Sequence, residues 1–205
     1  MPPFTVLHVC LGNICRSPMA ERLLALAVRE RLARRGAADP DDVDRLVHSH
    51  SAGTGGWHAG EEMNPPAARQ VRSRGGDAAD FGARKLRSEH IDAADLVLTA
   101  TADQQEYVVA LRPDAADRTF VLGEFGRLLP TVDAAALPPA DVADPDAVHA
   151  RGTALVAAVA AARSGSSPLP GDDLDDPWGR GDQCFSRVAD EIEETVGPLA
   201  AVLLP

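Results

Sequence analysis

The chain has 205 residues, 20 basic and 31 acidic, for a formal net charge of −11, and it is long enough to bury a sizeable core as one domain. That balance disfavours binding a nucleic-acid backbone, so any anion site must be local to a loop. No stretch approaches a membrane span, no charged-then-apolar leader precedes a cleavage site, and three cysteines make neither a disulfide framework nor a zinc cluster, which points to a reducing cytoplasm.

The first element is Phe4–Cys10, short, β-branched and almost continuously apolar, as expected of a strand buried on both faces. A helix is predicted over 18–35, with Ser17 as N-cap, Pro18 at the first helical position, Glu21 in the first turn, and Leu24, Val28 and Leu32 at four-residue steps. Further strands are predicted at Leu46–Ser51, Asp95–Thr99 and Arg118–Leu122. Helices are predicted at Pro66–Arg74, Asp103–Leu111, Glu124–Leu129, Ala143–Arg163 and Arg187–Val196, with Pro198 kinking or ending the last before the tail Leu199–Leu204. Residues 36–45, 130–145 and 163–177 read as extended loops within a single domain spanning 1–205. Alternating strands and helices imply an α/β fold, a parallel sheet covered on both faces with its ligand at the carboxyl edge of the strands.

Cys10 falls at that edge, and Cys10-Leu11-Gly12-Asn13-Ile14-Cys15-Arg16-Ser17-Pro18 joins the first strand to the first helix. Alone, a cysteine and an arginine so spaced would read as a small core residue and a solvated charge. The strand before, the helix start after and the turn-tolerant Gly12 and Asn13 between them make a different object. Backbone amides of a tight loop at a helix start form a nest for phosphate-like oxygens. Arg16 supplies a planar fork for two of those oxygens, and the positive surroundings favour a thiolate at Cys10. A thiolate beside a phosphate ester attacks phosphorus to give a phosphocysteine, with Ser17 placed to donate to the sulfur when it later leaves. The leaving oxygen needs a proton. Leu174-Asp175-Asp176-Pro177-Trp178 offers Asp176, stiffened by Pro177 and flanked by an apolar ring, although an Asp-Asp-Pro surface turn is the plainer reading of those residues alone.

The loop motif, Ser51-Ala52-Gly53-Thr54 with Trp57-His58-x-Gly60, and Asp176-Pro177-Trp178 together resemble the low-molecular-weight protein tyrosine phosphatase family. Ala83-Arg84-Lys85-Leu86 and Ala94-Asp95-Leu96-Val97-Leu98 are weaker likenesses. The resemblance implies a flavodoxin-like, four-stranded parallel sheet flanked by helices. It implies metal-free hydrolysis of phosphate monoesters without a cofactor, on a phosphotyrosine-containing protein or another aryl phosphate. Cys10 would be the nucleophile, Arg16 the transition-state clamp and Asp176 the general acid, with Leu11, Gly12, Asn13, Ile14, Cys15 and Ser17 completing the phosphate loop. Trp57 and Trp178 would wall the entrance, the other reading of Trp57 being a half-buried core residue. Cys15 would be a neighbouring thiol able to trap oxidised Cys10, and Cys184 inert.

The chain also departs from the family pattern. Phe81 stands where the family carries a histidine two residues before Ala83-Arg84, so support for Asn13 and Ser17 must come from Ser51 or elsewhere, or be weaker. Met63-Asn64-Pro65-Pro66-Ala67 replaces a stretch that commonly holds an aspartate and an arginine, and Gly179 replaces a second aromatic. The chain is also some tens of residues longer, the excess lying in 36–45, 113–145 and 163–173. Two other functions share these residues: arsenate reduction with an external thiol, and phosphate binding with little turnover. The oligomeric state and the physiological substrate stay open.

Overall fold

The computed structural model describes residues 1–36 and 40–205. Among these, β1 (Phe4–Cys10), β2 (Val47–Gly53), β3 (Leu96–Thr99) and β4 (Thr119–Val121) form one parallel sheet in the order β2-β1-β3-β4. The register pairs Cys10 with Gly53 and Val9 with Thr99, so the ends of three strands come together at one edge. The chain leaves β1 toward β2 on one side and reaches β3 on the other. The loop after β1 therefore opens at the point where the strand order reverses, the usual ligand crevice of such sheets.

Both faces of β1 are buried, as its composition predicts. Phe4, Val6 and Cys10 join the larger core, packed under α1 (Arg16–Ala33) and α8 (Asp182–Leu203). Leu7 and Val9 join a smaller core with Ile91 of α4 (Ser88–Asp92) and Val108 of α5 (Ala102–Leu111). The other helices are α2 (Pro40–Leu46), α3 (Pro65–Ser73), α6 (Leu122–Leu128) and α7 (Pro145–Arg163). None of the described helices is long and apolar enough to cross a membrane.

Three expectations about elements are corrected. The predicted loop at 36–45 lies partly outside the described residues (37–39), and its second half is α2, whose Val43 and Leu46 are buried. α1 starts at Arg16, with Cys15 as N-cap. Ser17 does not cap it, because its hydroxyl is taken up by Cys10 and Asn13, and Glu21 lies beyond the first turn. α8 begins five residues earlier than predicted and runs through Pro198 to Leu203. Proline costs that helix a backbone bond, but Leu199, Ala200 and Leu203 are fully buried, and their packing outweighs the loss.

His8 sits in β1 with Nε2 3.2 Å from the Ser49 hydroxyl and Nδ1 buried without a partner among the described residues. Burial, with His50 nearby, lowers its pKa from 6.5 to about 3. A histidine held neutral stabilises the fold above its unfolded pKa, and that contribution is lost as pH falls toward the folded value. By pH 4 the loss from this one group is about 3 kcal/mol, at 1.36 kcal/mol per unit. Denaturant unfolding of His8→Gln and of the parent at pH 7 and pH 4.5 checks this; the variant should lose distinctly less stability on acidification.

Candidate active site

The five residues between Cys10 and Arg16 turn the chain from strand to helix, and neighbouring segments bond to the carbonyls of Cys10, Leu11 and Ile14. Thr54 N–H donates to the Cys10 carbonyl (3.0 Å), Gly55 N–H to that of Leu11 (2.8 Å) and Asn64 N–H to that of Ile14 (2.8 Å). Those bonds tie the loop to the segments on either side of it. The Asn13 N–H lies 3.3 Å from Cys10 Sγ.

Asn13 takes a left-handed backbone (φ +57°), a conformation asparagine tolerates better than most residues. Its side chain fixes the turn on three sides. Nδ2 donates to Ser17 Oγ and to Ser51 Oγ (both 2.9 Å), and Oδ1 accepts from Arg84 N–H (2.9 Å). Ser51 donates onward to Glu21 Oε2 at 2.5 Å. Support for the loop thus comes from Ser51 and Glu21, while Phe81 is buried in the larger core with the Arg22 guanidinium 5.9 Å from its ring centre. Gly12 has no positive φ; a Cβ there would lie 3.1 Å from the His58 ring, which would have to give by a few tenths of an ångström. Gly53 is needed for space, because its Cβ would sit 2.8 Å from the Leu11 carbonyl oxygen.

Cys10 is only 2% exposed, yet it lines a cavity of about 220 Å³ together with the loop, Trp57, His58, Asp176 and Trp178. Ser17 Oγ is 2.9 Å from its sulfur. Since Asn13 donates to that hydroxyl oxygen, the hydroxyl hydrogen is free to point at the sulfur. The second thiol differs in kind: burial, with Cys10 and Asp176 close by, pushes Cys15 up to about 12, so it stays protonated near neutrality. All three cysteines are free thiols.

Arg16 is buried at the helix start; Nη1 donates to the Leu174 carbonyl (3.1 Å) and Nη2 lies 3.5 Å from Asp176 Oδ2. The two adjacent aspartates separate cleanly. Asp175 turns outward to Arg187 (2.8 Å) and Arg180 (3.5 Å), while Asp176 faces the cavity with Oδ1 accepting from Trp178 N–H (3.2 Å). Trp57 is 69% exposed and so is not a core residue; its ring lies against Gly55, where a Cβ would overlap it. Trp178 is 63% exposed on the same cavity. Sequence reasoning missed Glu21 as a support and His58 as a lining residue whose Nδ1 pairs with Glu61 (2.8 Å). The alternation of Ser49 and Ser51 on one face of β2 was the available signal for the first. Among the described residues, no group of three or more His, Cys, Asp or Glu side chains is placed to hold a metal ion.

Residues 5–161 match the family model described as low molecular weight phosphotyrosine protein phosphatase. A low molecular weight protein-tyrosine-phosphatase of Streptomyces coelicolor is 34% identical over 169 residues, covering 76% of this chain and 93% of that protein. Among solved structures, the YwlE arginine phosphatase from Geobacillus stearothermophilus superposes with a TM-score of 0.61 at 26% identity, covering 97% of this chain and 92% of that one. The low molecular weight protein tyrosine phosphatase from T. tengcongensis shares the fold, with a TM-score of 0.62 at 23% identity, covering 96% of this chain and 97% of that one. A strand-end thiol, a helix-start guanidinium and a parallel four-stranded sheet thus meet in a chain that belongs to the low molecular weight phosphotyrosine protein phosphatase family, a family of phosphoric monoester hydrolases.

Proposed function

We propose that the protein hydrolyses aryl phosphate monoesters, protein phosphotyrosine above all, through a phosphocysteine on Cys10, in the cytoplasm. The observation that carries this is that Cys10 and a buried Arg16 line one cavity at the carboxyl edge of the sheet, with the Asn13 N–H and the Ser17 hydroxyl on the sulfur. The Cys10 thiolate attacks phosphorus, the bond from phosphorus to the aryl oxygen breaks, and Asp176 gives that oxygen its proton. Water then attacks phosphorus, the sulfur–phosphorus bond breaks, and Asp176 takes the water proton back, leaving inorganic phosphate. The Ser17 hydroxyl supports the departing sulfur.

The charge on the transferring phosphoryl group is met by the loop amides and the guanidinium, the roles a metal ion would otherwise fill. Hydrolysis of an aryl phosphate should therefore persist in EDTA and be inhibited by vanadate and by phosphate. Inactivation by chelator would overturn the proposal. Arg16→Lys keeps the charge but loses the fork and the tie to Leu174. It should lower kcat/KM by about 10²-fold and weaken vanadate inhibition in parallel.

The relative named as an arginine phosphatase brings phosphoarginine forward as a second substrate class. The cavity walls favour the aryl ester: Leu11, Ile14, Trp57 and Trp178 are apolar, and Asp176 is the carboxylate among its lining residues. A phosphoguanidino group would leave several N–H donors facing hydrocarbon. We expect kcat/KM for phosphotyrosine to exceed that for phosphoarginine by about tenfold or more, measured side by side on the two free phosphoamino acids.

A further inference from the structure

The segment 164–177 carries Asp176 but is made of residues that leave a chain free, Ser-Gly-Ser-Ser-Pro and Pro-Gly-Asp-Asp. Its end is nonetheless fastened, and the strongest fastening lies outside the catalytic cavity. Asp172 has a side chain only 6% exposed, and its carboxylate receives both arms of the Arg127 guanidinium from α6 (3.0 and 2.8 Å) and the Leu169 N–H (2.7 Å). Burial raises that carboxyl's proton affinity, and the hydrogen bonds from Arg127 and Leu169 outweigh it, holding the group below the usual carboxylate range. The backbones meet there too: a Cβ on Gly123, also in α6, would stand 2.4 Å from the Asp172 carbonyl oxygen.

From Asp172 the chain runs two residues to Leu174, whose N–H donates to Ala100 (2.8 Å) and whose carbonyl accepts from Arg16 (3.1 Å). Two residues further on is Asp176. We propose that the Arg127–Asp172 pair is a latch that sets the reach of Asp176, making Arg127 a positioning residue for proton delivery to the leaving group. This rests on the reading of Asp176 as the acid. Without Arg127, a covered carboxylate is left without its charged partner and must move toward water, drawing the chain before Leu174 with it. A shift of about 1 Å at a proton donor is enough to cost one to two orders of magnitude in rate.

The test compares kcat/KM across aryl phosphates whose phenols differ in acidity. Phenyl phosphate needs a proton on its leaving oxygen; 2,4-dinitrophenyl phosphate does not. Arg127→Ala should lose about tenfold on phenyl phosphate and less than about twofold on the dinitrophenyl ester, with Arg127→Lys intermediate. The double variant Arg127→Ala with Asp172→Ala should be no worse than the poorer single variant, since the two act as one unit. Asp176→Ala, measured alongside, should steepen the dependence on the leaving group further. Equal losses on both esters, or a wild-type profile in Arg127→Ala while Asp176→Ala steepens it, would overturn the latch. An Asp176→Ala protein with an unchanged profile would instead remove the acid assignment on which the latch depends.

Discussion

Cys10→Ser is expected to abolish turnover of aryl phosphates, lowering kcat by about 10⁴-fold or more, while leaving the affinity for phosphate and vanadate close to that of the parent. Nucleophile and cradle are separable parts of the site. A serine hydroxyl fits where the thiol sits and keeps the Ser17 contact, so the loop has no cause to rearrange. The carbonyls of Cys10, Leu11 and Ile14 are held by neighbouring segments, and Asn13 is fixed by Ser17, Ser51 and Arg84. Binding of a tetrahedral anion therefore survives. What disappears is the sulfur nucleophile, and an aliphatic hydroxyl with no base beside it is a far weaker one. Acid-quenched parent enzyme should carry one phosphoryl group on the Cys10 peptide, and the variant none. Cys184→Ser, at a half-buried position of α8 that does not line the cavity, should turn over as the parent does and locates the effect. Unchanged turnover in Cys10→Ser would end the nucleophile assignment.

The parts of this site that could be read in advance are those whose residues are neighbours in the chain. The strand, the turn residues and the helix start around Cys10 lie within fifteen positions, and each has a local signature. Where the reading erred, a distant partner had claimed the side chain. Ser17 has the composition of an N-cap, but its hydroxyl is drawn to the sulfur seven residues back, so α1 begins earlier. Asp176 is told from Asp175 by the Pro177 and Trp178 that follow it, while the arginine that draws Asp175 away, Arg187, lies twelve residues on. Glu21 reaches Ser51 across thirty positions, and only the alternation of Ser49 and Ser51 on β2 hints at such a bond. Short α2 and α4 carry too few turns for an apolar stripe to show, and α8 passes through Pro198 because of what lies beneath it, not because of its own propensity.

Asp176→Ala should lower kcat/KM for phosphotyrosine by about 10²–10⁴-fold, the range for a lost general acid, without weakening the anion site. The second half of that statement follows from the geometry. In the free enzyme the carboxylate lies 3.5 Å from one nitrogen of Arg16 and competes for it with an incoming phosphate. Removing the carboxylate leaves the guanidinium held, among the described residues, through Leu174. Vanadate and phosphate should therefore bind as tightly as in the parent or more tightly, even as catalysis fails, and inhibition constants at fixed pH measure this. Asp175→Ala is the matched control: its carboxylate sits among exposed arginines, where an ion pair contributes little, and its loss should change kcat/KM by less than about threefold. A defect at Asp175 as large as that at Asp176 would mean that the loop's charge matters and the position of one carboxyl does not. A loss of vanadate affinity in Asp176→Ala would mean that this residue builds the cradle and does not serve the leaving group.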